Sequence, residues 1–236
     1  MRPRQGAHPV VSVILCTFNR RALLARAVDS VRRQELENWE LLVIDDGSTD
    51  GTVRDLRRMA ASDPRIRYRR QSNRGLARAR NAGLRLARGK YAAFLDSDDE
   101  YMPRHLFLRV GFLRRNPRLH GVYGGLRAVG PRGLQYVPDV ERPGRKIHAS
   151  RCHAAGTLVA RVSTLRRAGG FRLIPFAEDY DLILRLMVRV PLGMMTERTY
   201  LYHVAPEDRL CRRYGRTGKA DMGGLRRGEL ARRQIG

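Results

Sequence analysis

Val10-Val11-Ser12-Val13-Ile14-Leu15 is a short, β-branched and almost wholly apolar run, which predicts a strand buried on both faces. Leu23, Leu24, Ala27, Val28 and Val31 follow at helical spacing. The alternation then repeats. Leu41-Leu42-Val43-Ile44 reads as a strand, Thr52 to Ala61 as a helix and Ile66 to Arg69 as a short strand. Gly75 to Ala87 reads as a helix with Leu76, Ala79, Ala82, Gly83 and Leu86 on one face, and Tyr91-Ala92-Ala93-Phe94-Leu95 as the next strand. Such alternation predicts an α/β fold, a largely parallel central sheet flanked by helices, with ligands bound at the C-terminal ends of the strands.

The second half is less regular. Pro103 suits the first turn of a helix reaching about Arg115. Residues 119 to 138 read as short strands broken by Gly124, Gly125, Gly130, Pro131 and Gly133, and Pro138 to Ser150 as a mobile loop. Gly169-Gly170 ends a short helix and another opens near Glu178. Past Pro206 arginine and glycine displace apolar residues, which predicts one folded unit over 1–205 and a basic, loosely ordered tail over 206–236.

Composition narrows the field. In 236 residues the formal charge is +24, carried by arginine, since Lys90, Lys146 and Lys219 are the only lysines. That balance favours anionic partners such as nucleic acid, acidic lipid or phosphorylated substrate, although coding bias also spreads arginine evenly. Three distant cysteines, Cys16, Cys152 and Cys211, suggest a reducing compartment and have no zinc-ligand spacing. No apolar stretch approaches the roughly 18 residues of a membrane span, and no signal-peptide core opens the chain. The expected location is cytoplasmic, with at most peripheral contact with an anionic inner membrane face, to which the stretch from Arg209 to Arg233 is suited.

Against this charge, three polar clusters fall at predicted strand ends: Cys16 to Arg20, Asp45 to Asp50, and Asp96-Ser97-Asp98-Asp99. Crowded carboxylates repel unless a hard divalent cation or a proton neutralises them, so the last cluster points to a metal and an anionic ligand. Its plain alternative is a solvated acidic turn. The Asp46 loop opens like a calcium loop, but Arg57 stands where a bidentate Glu is required. Asp50 is a helix N-cap on any reading, and Asp46 could also accept the imide N–H of a pyrimidine base. No Gly-x-Gly-x-x-Gly follows the first strand and no P-loop is present, which disfavours dinucleotide binding and ATP or GTP hydrolysis.

Thr17-Phe18-Asn19-Arg20, the Asp45-to-Thr52 loop, Gly75 to Gly83, the Asp96 knot, and Gly169-Gly170-Phe171 leading to Glu178-Asp179-Tyr180-Asp181 stand in this order. Together they resemble glycosyltransferase family 2, inverting nucleotide-sugar transferases of the GT-A fold, over roughly residues 10 to 200. The resemblance implies a catalytic domain over 1–205, its nucleotide-binding half about 9–100 and its acceptor-binding half about 101–205. It implies that Thr17 and Asn19 lie beside the nucleotide, Asp46 bonds the base, and Arg80 approaches the nucleotide. Asp96 would face the ribose and Asp98 would hold Mn²⁺ or Mg²⁺ on the diphosphate, with Asp96 beside it. Asp179 would be the general base. His203 is a weaker metal candidate, weighed against an ordinary strand position. The partners implied are a UDP-, dTDP- or GDP-sugar and a saccharide, lipid-linked or other hydroxyl acceptor.

No Gln-x-x-Arg-Trp motif occurs and Trp39 is the single tryptophan, which favours single addition over processive synthesis. Glu178 and Asp179 also suit a helix first turn through the dipole alone. Asp181 is expected to pair with Arg185 one turn on. Acceptor choice is expected to rest on Pro138 to Ser150 and His153 to Thr157. The competing class is an arginine-rich nucleic-acid-binding protein without catalysis. Low aromatic content (7%) and acids at three strand ends argue against it, so no nucleic acid is expected.

Overall fold

The computed structural model describes residues 8–205 apart from 143 and 175. The tail beyond 205, with its predicted looseness and membrane contact, lies outside the described residues. The first half alternates as the pattern requires: β1 (Val11–Thr17), α1 (Arg21–Arg32), β2 (Trp39–Asp45), α2 (Thr52–Ser62), β3 (Ile66–Arg70), α3 (Leu76–Leu86) and β4 (Tyr91–Asp96). All seven residues of β1 and of β2 are buried, which is why they read as continuous apolar runs.

These four strands pair in parallel, β1 at the centre between β2 and β4, with β3 outside β2. Val11, Val13 and Leu15 join a core with Leu24, Val28 and Leu56, while Ile14 and Cys16 join a second core with Ala79, Leu84 and Leu182. The strand period of two thus sends one strand's side chains to helices on opposite faces. Gly83 lets α3 lie close to the sheet, because a Cβ there would collide with Ile14.

The second half continues with β5 (Glu100–Tyr101), α4 (His105–Arg115), β6 (Gly121–Tyr123), β7 (Leu126–Val129), β8 (Tyr136–Pro138), β9 (Lys146–His148), β10 (Val159–Arg161), α5 (Val162–Arg167), α6 (Glu178–Arg189), β11 (Leu192–Met194) and β12 (Tyr200–His203). The main sheet runs β11-β6-β10-β4-β1-β2-β3. Only β10 is antiparallel to its neighbours, β4 and β6. A small sheet, β5-β12-β7, stands beside it. Gly125, at a φ of 76°, brings the chain so near the Glu197 carbonyl that no Cβ fits.

The expected mobile loop from Pro138 to Ser150 is corrected. β8 and β9 pair as an antiparallel hairpin, Tyr136 opposite His148 and Pro138 opposite Lys146. A 3-10 turn, Ala149–Arg151, follows with Ala149 buried in the core. The strands are three residues long and half exposed, too short for periodicity to reveal.

Candidate active site

Parallel register aligns the chemistry. Thr17 stands opposite Asp45 and Cys16 opposite Asp96, so the ends of β1, β2 and β4 share one edge. Over that edge opens a cleft of about 590 Å³, lined by Thr17, Asn19, Asp46, Arg80, Asp96, Asp98 and Asp179 among others. Seven predicted residues therefore meet in one cavity. His203 does not line it: the ring Nε2 lies 2.8 Å from Glu100 Oε1 and the backbone N–H donates to Asp99. His203 ends β12 opposite Val129 of β7, and its ring is directed at Glu100 of β5. Burial first, then Arg26, lowers its pKa against the pull of Glu100.

The two loops at the β1 and β2 ends lock together. Asn19, at a φ of 50°, donates its N–H to Ser48 Oγ, and its Oδ1 accepts from the Thr49 N–H at 2.8 Å. Asp46 accepts from Gln71 Nε2 and the N–H groups of Arg74 and Gly75 at 2.8–3.0 Å, pinning the start of α3. A carboxylate accepts about four hydrogen bonds, so Asp46 retains room for one more. Thr17 is 3% exposed and its Oγ1 has no hydrogen-bond partner among the described residues. A buried hydroxyl left this way suits a ligand's polar atom. The predicted Asp50 N-cap is corrected: Gly51, at a φ of 87°, is the N-cap of α2, and Asp50 stands one residue earlier, accepting from the Thr52 N–H at 3.1 Å and from its hydroxyl.

The acidic knot divides its labour. Asp99 is fully buried and holds β12, accepting from the Tyr200 hydroxyl at 2.6 Å as well as from His203. Asp98 lies 3.5 Å from Arg20 Nη1, and Arg26 donates to its carbonyl. Asp96 remains a third exposed and gives one oxygen to Arg80 Nη2 at 2.7 Å. Arg80 is buried, and its Nη1 donates to Glu178 Oε1 at 2.6 Å. Burial opposes the Arg80 charge, but Asp96, Glu178 and Asp179 outweigh it and raise its pKa. Glu178 is pushed up to about 6, chiefly by burial and also by Asp179, with Arg80 opposing.

Asp179 sits at the start of α6, which leaves Ala177 at a φ of 61°. Among the described residues Asn19 and Ala177 alone combine a side chain with positive φ, and both line the cleft. Asp179 Oδ1 accepts from the Tyr180 N–H at 2.8 Å and Oδ2 from the Ala155 N–H at 3.1 Å, so backbone donors aim both oxygens. Asp181 pairs with Arg185 at 2.8 Å as predicted. Sequence reasoning missed Glu141, His153 and Tyr180, though its attention to 138–150 and 153–157 covered two of them. Tyr180 donates to Glu141 at 2.6 Å, and its ring lies 6.0 Å from that of His153.

Asp96 and Asp98 offer hard oxygen donors from one turn, and no group of three or more His, Cys, Asp or Glu gathers as a metal cage among the described residues. Two carboxylate donors of this kind suit a hard divalent cation whose other ligands are waters or substrate phosphates. The residues present fit the expected cation.

A mostly parallel sheet whose strand ends open on a cleft, with an acidic turn after β4, is the GT-A fold. S. aureus TarS residues 1–349 in complex with UDP-GlcNAc superpose with a TM-score of 0.70 at 19% identity, over 85% of this chain and 60% of that one. A mannosyltransferase from Pyrobaculum calidifontis, in complex with GDP-Man and Mn²⁺, gives 0.65 at 23%, over 86% and 59%. At such identities the likeness concerns the fold.

The sequence carries the rest. Residues 12–176 match the model of glycosyl transferase family 2, and the chain belongs to that family. EpsE of Bacillus subtilis, which bears a glycosyltransferase name, is 37% identical over 186 residues, 75% of this chain and 66% of EpsE. Chondroitin synthase of Escherichia coli is 33% identical over 182 residues, 75% of this chain but 26% of that protein. The chain thus spans just under two thirds of the first and about a quarter of the second.

Proposed function

We propose that the protein is an inverting transferase that moves one sugar from a nucleoside-diphosphate sugar to an acceptor hydroxyl. The observation that supports this most is that Asp98 and Asp179, far apart in sequence, line the same cleft. Thr17, Asp46 and the strand ends bind the nucleotide, with the unpartnered Thr17 hydroxyl and the remaining acceptor site on Asp46 available to it. UDP-, dTDP- and GDP-sugars all fit that chemistry.

Asp96 and Asp98 would hold Mn²⁺ or Mg²⁺ against the diphosphate. A cation there supplies Lewis-acid neutralisation of the charge that grows on a leaving diphosphate. Arg80 keeps Asp96 in place from behind. Asp179 receives the proton of the acceptor hydroxyl as that oxygen attacks the anomeric carbon from the side opposite the leaving group. The two N–H donors fix the orientation of the Asp179 carboxyl for that approach. One base and one departing diphosphate complete a single displacement, with inversion and without a covalent enzyme intermediate.

Calorimetry with UDP and Mn²⁺, beside transfer assays on a panel of nucleotide sugars, tests the assignment. Asp98→Ala is expected to lose metal-dependent UDP binding. Asp179→Ala is expected to keep UDP affinity and lose transfer by about 10²- to 10⁴-fold. Unchanged UDP–Mn²⁺ affinity in Asp98→Ala refutes the metal assignment, and full transfer by Asp179→Ala refutes the base.

A further inference from the structure

Beside Asp179 the cleft carries an aromatic pair that the donor does not account for. Tyr180 follows the base directly, and His153 lies two residues before Ala155, whose N–H binds the base's other oxygen. The two rings are stacked at 25°, 6.0 Å between centroids, and both line the cleft. Tyr123, at the end of β6, also meets the His153 ring, edge to face at 5.3 Å. Burial lowers the His153 pKa against the pull of Glu141 and Asp179, keeping its ring an uncharged aromatic face. From the β8–β9 hairpin Glu141 reaches across to accept the Tyr180 hydroxyl at 2.6 Å. Hydrogen bonds thus tie Tyr180, the base and the hairpin carboxylate together, and ring contacts add His153.

A flat apolar face bordered by carboxylates matches a pyranose ring, which pairs a C–H face with a rim of hydroxyl donors. Asp139, Glu141 and Asp179 all line the cleft around it, while Glu178 there is paired with Arg80. Like charges in a shared site repel, so a phosphate close to the reacting hydroxyl is disfavoured here. Resting on the transferase reading above, we propose that Tyr180 and His153 form the acceptor subsite. It takes an uncharged sugar ring, stacked beside Asp179, in preference to a phosphorylated one.

Saturation-transfer difference NMR on the full chain tests this, with methyl β-D-glucopyranoside, galactopyranoside, N-acetylglucosaminide and glucose 1-phosphate as probes, with and without UDP and Mn²⁺. At least one methyl glycoside is expected to bind through its C–H face and more tightly than glucose 1-phosphate. Tyr180→Ala and His153→Ala should each weaken that binding roughly three- to tenfold, the range of an aromatic pair. Tyr180→Phe should preserve the C–H contact, because the ring remains. Calorimetric UDP–Mn²⁺ affinity, unchanged in all three variants, shows that the fold and the donor site persist. If Tyr180→Ala loses UDP binding as well, His153→Ala decides. No glycoside contact in a wild type that binds UDP–Mn²⁺, contact indifferent to loss of the rings, or equal binding of glucose 1-phosphate overturns the inference. Failure of the wild type to bind UDP–Mn²⁺ sinks the transferase reading instead, which separates the two.

Discussion

Arg80 is the residue on which the two sides of the cleft depend. It is 3% exposed, yet its two terminal nitrogens reach Asp96 and Glu178, which belong to different halves of the chain. Guanidinium geometry allows one planar group to hold both carboxylates at once, which a lysine ammonium on a flexible stem does not reproduce. Removing one partner of a buried ion pair typically costs about 3–5 kcal/mol, because the other charge stays buried. Asp96 keeps a third of its surface in water, so the lower end applies. Arg80→Ala is expected to lose about 3 kcal/mol in urea unfolding. Arg80→Lys should lose less stability, yet still lower kcat and weaken UDP–Mn²⁺ binding, because Asp96 and the turn that carries Asp179 are then no longer held together. Equal kcat in Arg80→Lys and wild type refutes the positioning role.

At the scale of elements, α4 shows how burial fixes protonation. His105 is fully buried in its first turn, stacked on Tyr101 at 3.8 Å, with Nδ1 3.1 Å from Thr199 Oγ1 and Nε2 without a hydrogen-bond partner among the described residues. One turn on, buried Arg109 is held by Thr157 and Gly124 carbonyls and by Thr199. Burial first, then Arg109, drives the His105 pKa well below its usual value, so the folded ring stays neutral. In the unfolded chain it takes a proton below about pH 6.5. The stability it contributes is therefore complete above that pH and is lost as pH falls toward the depressed folded value. Urea midpoints measured from about pH 7 to about pH 5 should fall more steeply in wild type than in His105→Phe, by at most about 1.4 kcal/mol per pH unit. Identical slopes would show that His105 titrates freely.

Elements also set what could be read in advance. β1, β2 and β4 were legible because each is buried on both faces and so largely apolar, whereas β3, with three arginines, is partly exposed. The β8–β9 hairpin was not. With three residues a strand and one face in water, its pairing comes from the elements it packs on, including the Gln135 and His148 side chains bonded at 2.9 Å. His203 shows the same limit: its strand position was predictable, but the direction of its ring depends on Glu100 of β5.

For the whole molecule the dominant fact is +24 in 236 residues. Charge of one sign on this scale repels itself within the compact state and weakens it. Screening shortens that repulsion to about 10 Å at 0.1 M salt. The melting temperature should therefore rise as NaCl is added from low ionic strength to about 0.3 M. A fall would mean that ion pairs such as Arg67–Glu40, 2.6 Å apart, outweigh the net repulsion. Among the described residues no helix is long and apolar enough to cross a membrane.

Sequence by itself determined the order of strands and helices and the strand ends at which acids collect. Burial has a period, and that period is written locally in the apolar pattern. Tertiary structure alone decided which acids serve the cleft and which serve the frame: Asp99 anchors β12, while Asp96 and Asp98 border the cavity. It also decided that Arg80 bridges to a carboxylate 98 residues away and that two rings flank the base. Those outcomes depend on distances between packed elements, which no local run of residues encodes.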